Sequence, residues 1–224
     1  MRGVPTGSSS GQGALIIQYN PQRPDRVAIL GDGKLGLMIA EVLGREHAKH
    51  FSSNNSETRP VLFGKHQHKL DLVKGSGVVG RFVSECVAET AFGGVAAEHA
   101  NKYDVVVDAT GSPAGLSLAS GLCRPMGTVV LKSTCAAGEK FNAAPFVIDE
   151  LKVIGSRCGP IDEALKLLAL PDTTKDSAEK NASQMPLKVE KYITKTFPLS
   201  RTDEAIRCAA EKSTMKVQII CSER

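Results

Sequence analysis

The stretch "VAILGDGKLGLMIAEVLG" occupies Val27–Gly44. Four apolar residues, Val27 to Leu30, lead into three glycines spaced G-x-G-x-x-G, and an apolar helical pattern follows. An all-apolar run of this length reads as a strand buried on both faces, the habit of parallel sheets packed under helices. In a strand–turn–helix of this kind the first glycine, Gly31, permits the tight turn. The second, Gly33, lets backbone approach a pyrophosphate, and the third, Gly36, lets the helix pack closely on the strand. The anion then meets unpaired N–H groups and the positive end of the helix. Lys34 and Leu35 complete the turn. Lys34 opposes the helix dipole yet would suit a phosphate, while a solvated lysine is the plainer reading. A carboxylate facing a pyrophosphate would repel it, so the Asp32 side chain is expected to point to solvent.

Outward from this turn the chain alternates strand and helix. Lys34 to about His50 reads as a helix with Leu35, Met38, Ile39, Val42 and Leu43 on one face. "SSNNSET" at Ser52–Thr58 is a polar loop, and Pro60–Gly64 is a second strand. Gln67–Lys74 is a short helix, Val78–Val83 a third strand, and Glu85–Asn101 an Ala-rich, mostly helical stretch broken by Gly93 and Gly94. "YDVVVDATGS" from Tyr103 is a clear strand and turn. "PAGLSLASGLC" is a helix with Pro113 near its start. "GTVVLKST" and "LKVIGSR" are two more strands, and Ile161–Leu170 is a helix. This spacing predicts an α/β fold: a doubly wound parallel sheet of the Rossmann type, with helices on both faces. Residues 1–25, rich in Gly, Ser, Pro and Gln, read as a disordered tail. Residues 26–170 read as the dinucleotide-binding domain. Residues 171–224 read as a small strand–helix–strand appendage after a polar loop, its helix capped by Ser200 with Asp203 and Glu204 in the first turn.

Composition narrows the function classes. The chain has 224 residues, 42% hydrophobic and 23% charged, and no apolar run near the ~20 residues that span a bilayer. Ala14 to Ile17 is too short for the core of a signal peptide, so a cytoplasmic protein with no membrane partner is expected. The net charge of +4 is spread along the chain, which holds seven Phe, three Tyr and no Trp. No basic stripe with stacking aromatics offers itself to nucleic acid. The six cysteines, Cys86, Cys123, Cys135, Cys158, Cys208 and Cys221, form no C-x-x-C pair and have no His at ligand spacing. No structural zinc is expected, and the thiols read as buried and reduced.

The end of the second strand chooses the cofactor. An NAD site places Asp or Glu there for the ribose 2′-hydroxyl, whereas an NADP site removes that charge and supplies cations. Here the strand ends Gly64, Lys65, His66, and no acid follows until Asp71 in the next helix. A 2′-phosphate would meet Lys65 and a protonatable His66, which favours NADP(H) over NAD(H). Further on, Asp108 to Ser112 and Leu131 to Thr134 end two strands at the carboxyl edge, where ligands bind in open α/β sheets. Asp108 there reads more readily as a structural hydrogen-bonder than as a catalytic acid.

"DRVAILGDGKLGLMIAEVL", "YDVVVDATGSPAGLSLA", "RPMGTVVLKST" and "VIGSRCGPIDEALKLL" together resemble the coenzyme domain of medium-chain dehydrogenases, the zinc-type alcohol dehydrogenase-like group. "ITKTFPLSRTDEAIRCAAEKSTMKVQI" resembles that group's C-terminal segment, a remnant of its catalytic domain. The resemblance implies NAD(P)H binding and hydride transfer between an alcohol and a carbonyl. By position it implies that Gly31, Gly33 and Gly36 form the pyrophosphate turn. Lys65 and His66 would form the adenosine-ribose site, and Thr110, Gly111, Ser133 and Thr134 would line the coenzyme. Lys216 falls where the family often keeps a basic residue near the pyrophosphate. A homodimer through the last sheet strand, around Val153–Arg157, is also implied.

The departure from the family is large. Its members carry an N-terminal catalytic domain with the Cys and His ligands of zinc, and here about 25 Gly/Ser-rich residues stand in that place. No Cys precedes Cys86 and no His precedes His47, and Phe51–Arg59 reads as an insertion. The expectation is therefore a truncated coenzyme domain, weakly active or inactive alone, with catalytic residues unassigned. A non-catalytic cofactor-sensing or partner-binding module is the alternative. A methyltransferase using S-adenosylmethionine shares the glycine turn, but the missing acid after the second strand argues against it.

Overall fold

The computed structural model describes residues 25–51, 58–87, 94–134, 142–169, 187–211 and 213–221. Six parallel strands form one sheet: β1 (Val27–Leu30), β2 (Val61–Gly64), β3 (Val79–Phe82), β4 (Tyr103–Asp108), β5 (Cys123–Leu131) and β6 (Lys152–Gly155). Their order is β3-β2-β1-β4-β5-β6, the doubly wound Rossmann arrangement, in which strand order reverses between β1 and β4. The expected tail, the loop at Ser52–Thr58 apart from Thr58, and most of the linker after Leu170 lie outside the described residues.

Period-two alternation divides the central strands between two cores. Val27 and Ile29 of β1, Leu62 of β2 and Val105 and Val107 of β4 face one side. There α1 (Lys34–His50) packs Leu37, Ala40 and Leu43 against them. Ala28, Leu30, Phe63, Val106 and Val129 face the other side, under Ala119 and Leu122 of α4 (Ala114–Leu122). All four residues of β1 and all six of β4 are buried, as continuous apolar runs require.

The buried stripe of α1 differs from the expected one. Leu35 is 45% exposed and Met38 37% exposed, while Gly36, Leu37, Ala40, Glu41, Leu43 and Gly44 turn inward. The helix phase is set by glycine contact rather than by side-chain volume. A Cβ at Gly36 would lie 1.9 Å from the Gly31 carbonyl oxygen, and one at Gly44 would lie 2.0 Å from that of Ser76.

The second crossover also differs. α2 (Gln67–Leu70) passes into a 3-10 turn at Asp71–Val73, so the expected helix is shared between two geometries. After β3, α3 covers only Val83–Cys86, and Val87 and Val95 then form an antiparallel bridge. The alanines of 85–101 suggested helix, but Gly94 adopts φ +69° and Asn101 φ +54°, both outside the helical region. Two short helices complete the first unit, α5 (Ala144–Ile148) and α6 (Ile161–Leu168).

The C-terminal segment forms a separate two-stranded parallel sheet. β7 (Ile193–Pro198) and β8 (Lys216–Ile220) are joined through α7 (Thr202–Ala209). Asp203 and Glu204 lie in the first turn of α7 as expected, but Ser200 does not cap it. A 3-10 turn at Leu199–Arg201 precedes the helix, and the Thr202 hydroxyl donates to the Leu199 carbonyl at 2.6 Å.

Tyr192 and Met215 dock this segment into the α1-side core. Lys191 donates to the buried Glu41 carboxylate and, at 2.6 Å, to the Leu72 carbonyl. The Ser76 hydroxyl also donates to Glu41, at 3.1 Å. Burial beside Glu41 holds the Tyr192 phenol well above its ordinary value. Replacing Lys191 by Met removes the ammonium bound to a carboxylate that is 2% exposed and leaves Arg45 as its cationic neighbour. The variant should lose about 3 kcal/mol of stability in urea unfolding. An unchanged midpoint would show that the segment is held by its apolar contacts alone.

Candidate coenzyme site

At the carboxyl edge of the sheet, three glycines do three separable things. Gly31 has φ +107°, and a Cβ there would approach the Ala109 carbonyl oxygen to 2.7 Å. Its N–H donates to the Phe63 carbonyl at 2.9 Å, so the turn is tied to β2 as it leaves β1. Gly36 seats the helix on the strand. Gly33, at φ −74° and ψ 174°, has nothing within 4 Å of its Cβ position. It therefore faces open space rather than packing.

The first backbone bond of α1 runs from the Leu37 N–H to the Gly33 carbonyl, at 3.0 Å. The N–H groups of Lys34, Leu35 and Gly36 precede it and have no helical acceptor. Gly33 as N-cap brings no side chain to them, and the first turn carries no acid. A 17-residue helix thus presents amide hydrogens and its positive end to the space over Gly33. Lys34 and Leu35, both exposed, stand at that mouth.

Asp32 does not point to solvent. It is 8% exposed, and its Oδ2 accepts the backbone N–H groups of Lys65 and His66, each at 2.8 Å, and the His66 ring N–H from Nδ1 at 2.9 Å. The reason is the residue opposite. A Cβ on Gly64 would lie 2.7 Å from Asp32 Cβ, so only glycine there leaves room for the carboxylate. Burial pushes the Asp32 carboxyl up, but the His66 hydrogen bond, the two backbone N–H groups and the imidazole charge together hold it below its ordinary value. The sequence carries the signal for this in Gly64.

The strand ends on the far side of the reversal are equally organised. Asp108 is 1% exposed. Its Oδ1 accepts from the Thr110 N–H at 3.0 Å, the Thr110 hydroxyl at 2.8 Å and the Ser133 hydroxyl at 3.0 Å. The Ser133 oxygen in turn accepts the Gly111 N–H at 2.9 Å. Asp108 is thus a structural hydrogen-bonder that locks β4 to β5, and Gly111, at φ +65°, opens onto free space.

Of the residues singled out in the sequence, Gly31, Gly33, Lys34, Leu35, Gly36, Gly64, Lys65 and His66 gather around the glycine turn. Thr110, Gly111 and Ser133 form one hydrogen-bonded cluster, with exposed Thr134 following. Lys216 opens β8 opposite Ile193 in the smaller sheet.

The cysteines divide. Burial pushes the Cys86 thiol up to about 11 and the Cys123 thiol up to about 12, which makes both poor nucleophiles. Cys208 is also buried, whereas Cys158 and Cys221 are exposed, contrary to the expectation of uniform burial. Among the described residues no three His, Cys, Asp or Glu side chains converge as a metal site, and Cys135 lies outside those residues. No helix among them is long and apolar enough to cross a membrane.

Residues 55–171 match the family model of the zinc-binding dehydrogenases. No curated protein matches the chain by sequence. Among solved structures, L-idonate 5-dehydrogenase from Escherichia coli is similar at 20% identity and a TM-score of 0.62, over 88% of this chain and 50% of that one. A short chain alcohol dehydrogenase from E. coli CFT073, complexed with NADH, is similar at 21% identity and a TM-score of 0.62, over 87% and 51%. Staphylococcus aureus TarJ in complex with NADPH is similar at 17% identity and a TM-score of 0.61, over 88% and 56%. The chain spans about half the length of these structures.

The Asp32 carboxyl, lowered in the fold, contributes stability that is complete above its unfolded value near 3.8 and is lost as pH falls through the folded value. Asp32→Asn should therefore flatten the acid limb of stability between about pH 4 and pH 2. Urea midpoints measured across that range check this; parallel acid limbs in the two proteins would contradict it.

Proposed function

The chain belongs to the zinc-binding dehydrogenase family, and we propose that it binds NADP(H) as the coenzyme-holding unit of an alcohol dehydrogenase-like oxidoreductase. The observation that carries this reading is the open space over Gly33, walled by unpaired first-turn amides at the reversal of strand order. On this reading the amides of Gly33, Lys34, Leu35 and Gly36 hold the diphosphate. Gly111, Thr110, Ser133 and Thr134 line the nicotinamide end. Lys216 near the pyrophosphate is carried over from the family resemblance. When bound, the nicotinamide would accept or give the hydride exchanged between an alcohol and a carbonyl.

The choice of NADP(H) rests on the β2 corner. Three N–H groups engage the Asp32 carboxylate, and no other acid stands at the end of β2. Lys65 is exposed there. A 2′-phosphate, with close to two negative charges, is suited to Lys65 and His66. Similar structures are complexed with NADH in one case and NADPH in another, and on this reading the end of β2 sets the preference.

Turnover is a separate matter. Asp108 is engaged by its own neighbours, and the described residues offer no metal-ligand set to polarise a carbonyl. The chain alone is accordingly assigned weak activity or none. The outer edge of β6 pairs with no strand among the described residues, and Val153 on it is 45% exposed. Pairing of two copies along that edge accounts for both features.

Two substitutions test the cofactor reading by calorimetric titration. Gly33→Val places its side chain in open space, so the fold should stand while NADPH binding is lost. Lys65→Ala should weaken NADPH about tenfold, roughly 1.4 kcal/mol, and leave NADH nearly unchanged. NADPH binding that survives Gly33→Val would overturn the site, and equal weakening of both cofactors would overturn the 2′-phosphate assignment.

A further inference from the structure

A second concave site lies at the opposite edge of the sheet, where the strands begin. A cavity of about 350 Å³ opens there, lined by Arg26, Arg59, Arg81, His99, Lys102 and Tyr103. Arg26 precedes β1 and Gly31 follows it, so five residues of near-extended chain, about 16 Å, separate this cavity from the glycine turn.

The cations converge because of strand register. Ala28 pairs with Val61, and Val61 with Val79, so these three share one face of the sheet. Residues two apart on a strand share that face. Arg26 is therefore in step with Ala28, Arg59 with Val61 and Arg81 with Val79. Lys102 enters from the start of β4. Arg26, Arg59 and Lys102 thus stand where three strands begin, and Arg81, level with Phe63 further along β3, lines the same cavity over a floor of valines and the Tyr103 ring.

No carboxylate lines the cavity. Glu85 pairs with Arg81 at 3.1 Å and accepts the Phe82 N–H at 2.8 Å. Asp104 accepts the Arg26 backbone N–H at 2.9 Å and the Arg124 guanidinium at 2.5 Å. Glu98 lies 3.8 Å from His99 but is 73% exposed. Lys102 donates to the Glu98 backbone carbonyl at 3.0 Å, which leaves its charge uncancelled.

Guanidinium forks and an ammonium around one concavity are the donor set for a phosphate, bound at several oxygens at once. The volume falls at the small end of small-molecule pockets, about 300–1,000 Å³, and exceeds what a bare ion fills. The apolar floor gives contact to an uncharged remainder. We propose that this cavity binds a phosphorylated small molecule of about sugar-phosphate size, its phosphate held by Arg26, Arg59, Arg81 and Lys102. The inference does not depend on the coenzyme reading.

The test is calorimetric titration with glucose 6-phosphate, inorganic phosphate and glucose at low ionic strength. It uses the wild-type chain, the Gly33→Val chain with its glycine turn blocked, and an Arg26→Gln/Arg81→Gln chain. Glucose 6-phosphate should bind saturably, one to one, to the first two, and at least tenfold more weakly to the third. Inorganic phosphate should bind more weakly than glucose 6-phosphate, and glucose should not bind. Lys102→Gln, at an exposed position, gives the same direction of loss if the double variant does not fold.

A readout needing no substitution is the His99 imidazole followed by NMR. Burial lowers its pKa, Glu98 and Glu85 pull it up, and Arg81 and Lys102 push it down, with a lowered net value. A phosphate among those cations should move it upward. Absence of saturable binding to the wild-type chain would overturn the proposal. So would binding lost in Gly33→Val but kept in the arginine variant, or inorganic phosphate binding as tightly as glucose 6-phosphate.

Discussion

The molecule turns on the contact between Gly36 and the Gly31 carbonyl, where a methyl group would sit 1.9 Å from oxygen. That contact lets α1 lie against β1 with no side chain between them. It rotates the helix so that Leu37, Ala40 and Leu43 enter the core and Leu35 is left at the mouth of the crevice. It also brings the first-turn amides to the edge of the sheet beside β4. Gly31 is pressed in turn against Ala109, so helix, first strand and fourth strand meet at one tight point. An interior packed this densely has little freedom to relax, and the space over Gly33 is defined by what crowds its neighbours.

From that point the turn is coupled sideways by Asp32. A carboxylate placed among amides that await an anion would compete with it. Here it is turned away and taken up by the N–H groups of Lys65 and His66, so the glycine turn and the end of β2 are held as one unit. On the proposed reading, the diphosphate and ribose positions are then held relative to each other by protein hydrogen bonds before any ligand arrives. On the other flank Ser133, between Asp108 and Gly111, does the same for the ends of β4 and β5.

All six strands of the main sheet were legible in the sequence: the buried central ones as short runs rich in apolar residues between turn residues, as in Val27–Leu30 and Tyr103–Asp108, and the exposed edge strands β3 and β6 by their place in the strand–helix alternation. The glycine turn was legible for the same reason: its context is local. What was missed depends on contacts distant in sequence. The direction of Asp32 follows from Gly64, 32 positions later. The phase of α1 follows from glycine approach and from the buried Glu41, whose partner Lys191 lies 150 positions away. In 85–101 composition favoured helix, but the chain pairs Val87 with Val95 instead. The appendage was legible as strand, helix and strand, and its docking through Tyr192 and Met215 was not.

A diphosphate seated over Gly33 with a 2′-phosphate at Lys65 is the arrangement proposed for the bound coenzyme. The most direct measurement is a crystal structure of the chain grown with saturating NADPH. Density for the diphosphate against the amides of Lys34 and Leu35, with the 2′-phosphate beside Lys65 and His66, is the predicted result. A crevice left empty, or filled by protein side chains with NADPH present, would contradict it.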